Sequence, residues 1–387
     1  VRHIFIADTK SAADPAPRLL DGIQFMRGVA ALMVVIDHFL EQFISRHVLG
    51  TDILPFAWSF GNAGVYIFFA ISGFTITLST RAKFARPGAA LWFMERRVIR
   101  IVPLYYLMTL LFIPALYLAK HSLPSLSDLA NSFLFLPYLN HLGLFQPVYA
   151  LGWSLDFEMF FYIVFAVAML FSFRRSFWGL IAFFLALIAA GAVYGLSPYR
   201  SDLVTRHLIF FTSPVIFYFV MGMGIAALYT HPAVVRRTAR LSLTASSLAA
   251  VCLSVAAVVL PALFAAPVIL AARSSDILPP LLALPMVLAV MILAVNAGSD
   301  GHASIIRVIS RNVGKASYSL YLTHSFVIGG LSLLFSKIPV PAPYGLPLCF
   351  AIVLVVSCAV AAACYRYIEQ PLLAAFGYLR GGRLAPK

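Results

Sequence analysis

The stretch Ile23-Gln24-Phe25-Met26-Arg27-Gly28-Val29-Ala30-Ala31-Leu32-Met33-Val34-Val35-Ile36-Asp37-His38-Phe39-Leu40-Glu41-Gln42-Phe43-Ile44 decides the kind of fold. It is long enough to cross a bilayer, which takes ~20 predominantly apolar residues. Yet it carries Arg27 near one end and His38 in its middle. Eleven helical steps of about 100° return His38 to within about 20° of Arg27, roughly 16 Å along the axis. The segment therefore reads as a membrane helix with a cation at its edge and a titratable imidazole on the same face at mid-depth. An ionisable group inside a span is costly and by default marks function. The plain structural alternative is a snorkelling arginine and a histidine bonded to a neighbouring helix.

The rest of the 387-residue chain is of the same kind. Hydrophobic residues make up 62% and charged residues 11%, against about 45–50% and about 25% in soluble domains. A disordered chain is excluded by this hydrophobicity, and an ordinary soluble enzyme nearly so. The expectation is an all-α integral membrane protein, a bundle of about ten transmembrane helices. Hydropathy places them near 23–44, 61–80, 98–119, 149–172, 177–195, 208–229, 243–265, 278–296, 317–335 and 346–365. The stretch 121–148 is too polar for a span and reads as an interfacial or re-entrant segment. Domain organisation follows: a tail over 1–22, a transmembrane domain over 23–366 and a second tail over 367–387. Val1–Gly22 is polar, contains Pro15 and Pro17, and lacks the apolar core of a secretory signal, so it reads as a cytoplasmic tail. Cys252, Cys349, Cys358 and Cys364 lie in apolar runs without metal-type spacing, which predicts neither a metal site nor a disulfide framework.

The net charge of +14 first suggests nucleic acid. Its distribution points elsewhere. With the N-terminus inside, the cytoplasmic loops receive Arg81, Lys83, Arg86, Arg96, Arg97 and Arg100, then Arg174 and Arg175, Arg236, Arg237 and Arg240, and Arg307, Arg311 and Lys315. The opposite side keeps only Arg46, Lys120, Arg200, Arg206, Arg273 and Lys337. This asymmetry predicts both termini in the cytoplasm of an inner-membrane, multi-pass protein. The lipid bilayer then accounts for the charge, and no nucleic acid is needed.

Other polar residues sit in or near the spans. Arg97 and Arg100 are three apart and share a face, and arginine suits bidentate phosphate contact; a positive-inside flank is the alternative. Ser154, Glu158 and Tyr162 fall on one face, with Glu158 expected at mid-depth as an ion-pair partner or functional acid. Asp156 points about 200° away and reads as interfacial or as a helix N-cap. Asp37 faces about 100° from His38 and is expected in a polar network or a water-lined cavity. His324 falls near mid-depth of the ninth span, packed or functional. Glu369, after the last span, reads as a structural fixture at a helix end.

Taken in order, several pieces resemble acyltransferase family 3, the polytopic membrane O-acyltransferases. They are Leu20–Arg27 leading to His38, Gly64-Val65-Tyr66-Ile67-Phe68-Phe69-Ala70-Ile71-Ser72-Gly73-Phe74, and Arg97-Val98-Ile99-Arg100-Ile101-Val102-Pro103-Leu104-Tyr105-Tyr106. Trp153-Ser154-Leu155-Asp156-Phe157-Glu158, Ser317-Tyr318-Ser319-Leu320-Tyr321-Leu322-Thr323-His324 and Tyr365-Arg366-Tyr367-Ile368-Glu369-Gln370-Pro371 complete the set. The wording Phe157-Glu158-Met159-Phe160-Phe161-Tyr162 is similar to the branch acting on bacterial exopolysaccharides and nodulation-type oligosaccharides. Asp37 departs from it, standing where many relatives carry an aromatic residue.

The resemblance implies transfer of an acyl group, usually acetyl, from cytoplasmic acyl-CoA to a hydroxyl of a saccharide acceptor. The family's arginine–histidine motif falls on Arg27 and His38, and its arginine pair on Arg97 and Arg100. Combined with the spacing, this gives the expected site. Arg27, Arg97 and Arg100 hold the phosphates of acetyl-CoA or another acyl-CoA. His38 is the base, and Glu158 orients it. Asp37, Ser72, Trp153, Ser154, Tyr162 and His324 support the site or contact substrate. Polysaccharide assembly proteins are further candidate partners. The competing readings are a proton-coupled secondary transporter and a subunit of an export complex.

Overall fold

The computed structural model describes residues 16–45, 54–140, 143–194, 209–230, 287, 291, 310–337 and 345–378. Among them every named element is helical, and strand-type pairing is confined to an isolated bridge between Leu139 and Phe145. The helices are α1 (Ala16–Ser45), α2 (Leu54–Thr80), α3 (Ala89–Lys120), α4 (Leu126–Phe133) and α5 (Trp153–Ala168). They continue with α6 (Phe173–Tyr194), α7 (Phe217–Tyr229), α8 (Ser317–Phe335), α9 (Gly345–Cys364) and α10 (Gln370–Tyr378). Among the described residues seven segments are long and apolar enough to cross a membrane, in α1, α2, α3, α5, α6, α8 and α9–α10. The chain is an all-α protein of membrane type.

Three departures from the sequence expectation have local causes. Helix α3 begins at Ala89, well before 98, because Glu95, Arg96 and Arg97 depress hydropathy while remaining good helix formers. Gly88, at φ 74°, makes the turn that precedes it. The segment expected over 208–229 is interrupted at Thr212–Ser213. Pro214 starts a short 3₁₀ turn whose Val215 amide is capped by Ser213, and only then does α7 run on. At the other end α9 passes through a π-turn, Tyr365–Glu369, into α10. The stretch 121–148 holds α4, started by a capping box between Ser125 and Asp128, and no span. The spans expected over 243–265 and 278–296, with Cys252, Arg236, Arg237, Arg240 and Arg307, lie outside the described residues. Val287 and Met291 are the exceptions, and both are buried. Most of 1–22 and the end of 367–387 lie outside them as well.

Helix α1 packs on α2, α8 and α9, and α2 packs on α7. The α2–α7 crossing is close because both helices present glycine. A Cβ on Gly73 would overlap the Phe219 carbonyl, and one on Gly222 would overlap that of Ala70. Stacked rings fill the space beside it, Phe161 on Phe219 at 4.2 Å and Tyr66 on Tyr218 at 4.5 Å. The arginine-bearing turns gather at one end. Arg81 donates to Thr230 Oγ1 at 2.7 Å, and the Ala85 amide donates to the Met169 carbonyl at 2.9 Å. Cys349, Cys358 and Cys364 are free thiols.

Gly222→Val is expected to cost about 1–3 kcal/mol through overpacking against backbone. Gly224→Val, where a Cβ meets nothing within 4 Å, is expected to be near neutral. Thermal unfolding of the detergent-solubilised variants measures the difference.

Candidate active site

Two polar constellations lie inside this apolar bundle. The first is a partly open pocket with Arg27, Ser72, Arg97, Arg100, Glu158 and Tyr162 in its wall. Helix α1 supplies Arg27, α2 Ser72, α3 the two other arginines, and α5 Glu158 and Tyr162. The shared face of Glu158 and Tyr162 gives a direct contact: Tyr162 Oη donates to Glu158 Oε1. Ser72 Oγ donates to the same oxygen at 3.1 Å and lies 3.4 Å from Tyr162 Oη. Arg97 stacks over the Tyr162 ring at 5.6 Å and over Phe93 at 5.4 Å.

Arg100 differs from its neighbours. It is salt-bridged to Glu369, which is 1% exposed and accepts a second bond from Ser319 Oγ at 2.5 Å. Glu369 therefore ties α3 and α8 to the π-turn, a stronger role than a helix-end fixture. No described carboxylate hydrogen-bonds Arg27 or Arg97, and the buried Arg97 Nε has no partner. Glu158, Glu369 and Arg100 are all within electrostatic reach of Arg27. Three guanidinium groups thus share this space with two carboxylates. A pocket so charged can take an anion.

The second constellation lies about three helical turns further along α1. His38 Nδ1 is 2.9 Å from the Val34 carbonyl and 3.9 Å from Asp37 Oδ2. A carbonyl only accepts, so Nδ1 carries the proton and Nε2 is left as the basic nitrogen. The His38 ring meets His324 of α8 edge to face, centroids 5.0 Å apart at 72°. His324 is fully buried, its Nδ1 is 3.0 Å from the Leu320 carbonyl, and its Nε2 has no partner.

The expected contact between Glu158 and His38 is absent among the described residues. Glu158 is engaged by Ser72 and Tyr162, and His324 and Asp37 flank His38 instead. The separation is physical: Glu158 belongs to the cavity, and His38 is not in its wall. Asp37 is 7% exposed, pressed against α2 where Gly61 leaves room for its carboxylate, and its Oδ1 has no partner. Asp156 is neither interfacial nor an N-cap. It is 2% exposed, the N-cap position is Gly152, and Oδ1 is unpartnered. Trp153 packs edge-on to Phe157 at 6.2 Å, outside the cavity wall. Ser154 does line the cavity, bonded at 2.8 Å to Tyr321 Oη.

Tyr318 and Tyr321 stand in the motif that ends at His324, but carry no role of their own in the sequence reading. They connect the two constellations and fix α8: Tyr318 Oη donates to the Ile101 carbonyl at 2.7 Å, and Tyr321 Oη to the Leu151 carbonyl at 2.9 Å. Both line the cavity, and the Tyr321 ring lies 6.2 Å from that of His324. Their spacing from His324, at i−6 and i−3 on one helix, was the available signal. Asp37, His38 and Glu41 place possible metal-ligand atoms within 4.8 Å of one another. Val34 engages His38 Nδ1 there, and Trp58 Nε1 donates to Glu41.

Fold and site together define a class: a polytopic all-α membrane protein with an arginine-lined internal cavity and a separate pair of histidines. A family model described as "Acyltransferase domain" matches residues 20–366, and the chain belongs to this family, acyltransferase family 3. It is 30% identical over 324 residues to the "Exopolysaccharide production protein ExoZ" of Rhizobium meliloti (strain 1021), covering 82% of this chain and 90% of that one. No solved structure matches it.

Breaking the buried ion pair separates structural from ligand-binding arginines. Arg100→Ala leaves Glu369 buried without its counter-ion and is expected to destabilise by about 3 kcal/mol. Arg97→Ala breaks no ion pair and is expected to cost less than about 1 kcal/mol. Denaturant or thermal unfolding in detergent measures both.

Proposed function

We propose that the protein is an O-acyltransferase of the cytoplasmic (inner) membrane. It moves an acyl group, acetyl in the first instance, from cytoplasmic acyl-CoA to a hydroxyl of an exopolysaccharide or its precursor. The observation that carries this reading is the excess of guanidinium over carboxylate in the wall of an internal pocket of a family member, Arg27, Arg97 and Arg100 against Glu158. Buried positive charge without a carboxylate partner is costly, and a polyanionic donor relieves it. Arg27 and Arg97 bind its phosphates, and Arg100 does so while held by Glu369. The name of the Rhizobium relative supports a saccharide acceptor. Both termini lie in the cytoplasm, in a bundle of about ten helices. The gathering of Arg81, Arg96, Arg97 and Arg100 at one end supports that orientation.

His38 supplies the chemistry. An acceptor hydroxyl is too weakly acidic to attack unaided. His38 Nε2 takes its proton as the oxygen attacks the thioester carbonyl. The new C–O bond forms, the C–S bond breaks, and His38 returns the proton to the departing thiolate. Ser72, Tyr162 and Glu158 form a hydrogen-bonded wall that orients the acyl-bearing arm on its way from the arginines toward His38.

His38→Ala is expected to lower transfer about 10²- to 10⁴-fold in intact protein. Arg27→Ala and Arg97→Ala are expected to raise the KM for the donor. Radiolabelled acyl-CoA turnover in proteoliposomes tests all three. Wild-type protein that leaves acyl-CoA unconsumed while conducting a proton-driven solute flux is a transporter, and the proposal then fails. Mass spectrometry of the exopolysaccharide, with and without the gene, identifies the ester.

A further inference from the structure

We infer that His324 is the positioning partner of His38: a second imidazole that fixes the ring of the base and stabilises the charge it acquires. The inference deepens the reading of His38 as the base and rests on it. Four observations lead there.

The two rings meet at 5.0 Å and 72°, so neither can turn without displacing the other. Both histidines are locked in the same way, each Nδ1 bonded to the carbonyl four residues earlier on its own helix. Both therefore carry the neutral-state proton on Nδ1 and expose a lone pair at Nε2. The His324 Nε2 is buried and has no partner in the chain. Buried polar atoms are nearly always bonded, so this lone pair is held in reserve. Finally, α8 is an unusually rigid carrier. Tyr318 and Tyr321 reach out from it to main-chain carbonyls of α3 and the turn before α5, and Tyr149 reaches back to its Leu322 carbonyl at 2.5 Å.

The proton that leaves the acceptor hydroxyl arrives at His38 Nε2 and makes the ring an imidazolium. The other ionisable groups around it come from few sources. Asp37 and Glu41 stand on α1, Asp37 3.9 Å from Nδ1 and Glu41 bonded by Trp58. Helix α8 offers Tyr321 behind His324, α2 has Tyr66 stacked on Tyr218, and α9 has the Cys349 thiol. Asp37 reaches Nδ1, and His324 is the group whose ring meets the His38 ring. The task that the sequence reading gave to Glu158 falls to a second histidine.

Diethyl pyrocarbonate acylates only the neutral imidazole, and His38 has 33% of its side chain exposed to it. The rate of His38 modification in the full-length, detergent-purified protein, read by peptide mass spectrometry across pH, gives its titration midpoint without any need for turnover. Removing a group that stabilises the imidazolium makes the proton leave more easily, so the midpoint falls. In His324→Phe a drop of about half a pH unit or more is expected. His324→Leu serves if the larger ring does not insert. In both, kcat is expected to fall roughly 10- to 100-fold at unchanged donor KM. His324→Gln, whose amide oxygen reaches the place of Nε2, is expected to recover part of both effects. An unmoved or raised midpoint in the apolar variants overturns the inference, as does a His324→Gln variant no better than they are. A lowered midpoint in a protein that never consumes acyl-CoA supports the pair and defeats the functional reading alone.

Discussion

Charge buried in an apolar bundle is the constraint on which the rest of this structure depends. Arg27, Arg97 and Arg100 are drawn into the interior of helices whose other side chains are overwhelmingly hydrophobic. Each must find a counter-charge, a ring face or a ligand. Arg100 finds Glu369, and through it Ser319, so one ion pair joins α3, α8 and the C-terminal π-turn. Arg97 finds two aromatic faces. Arg27 is left with charges at a distance. That graded satisfaction, from full to partial to open, separates what the arginines do for the fold from what they offer a ligand.

The helices are held at the spacing this requires by devices suited to a bilayer, where apolar surface alone gives little reason to associate. Glycines at the α2–α7 crossing let backbones meet, and stacked aromatic rings fill the volume beside them. Tyrosine hydroxyls from α8 and from the turn before α5 then cross between helices to carbonyl oxygens. The same bonds that stiffen α8 set Tyr321 in the cavity wall and His324 against His38. Fold and site share their fastenings.

Several residues of the candidate site stand out in the sequence. Arg27 and His38 announced themselves because a span can hide neither a guanidinium nor an imidazole from a hydropathy reading. The Ser154, Glu158 and Tyr162 face was readable from helical period alone, and Glu158 does contact Tyr162. Misreadings came where partners are chosen across helices. Asp156 looked like a cap because it begins a helix, yet it is buried. Glu158 was matched to His38 as acid to base. Glu158 is bonded instead by Ser72 from α2 and by Tyr162 from its own helix.

The sequence by itself determined the class: long apolar segments must satisfy their backbone bonds internally, so they become helices. Their scarce charges mark which segments must find polar partners inside the bundle. It also determined family, through an ordered set of short motifs. Only the tertiary structure decided which of those residues meet. Periodicity fixes a side chain's direction around its own axis, but not the depth or rotation of the next helix. Those depend on packing at Gly73, Gly222 and Gly61 and on bonds such as Tyr321 to Leu151. For that reason two polar groups that looked like one site resolved into a cationic cavity and, farther along α1, a pair of histidines.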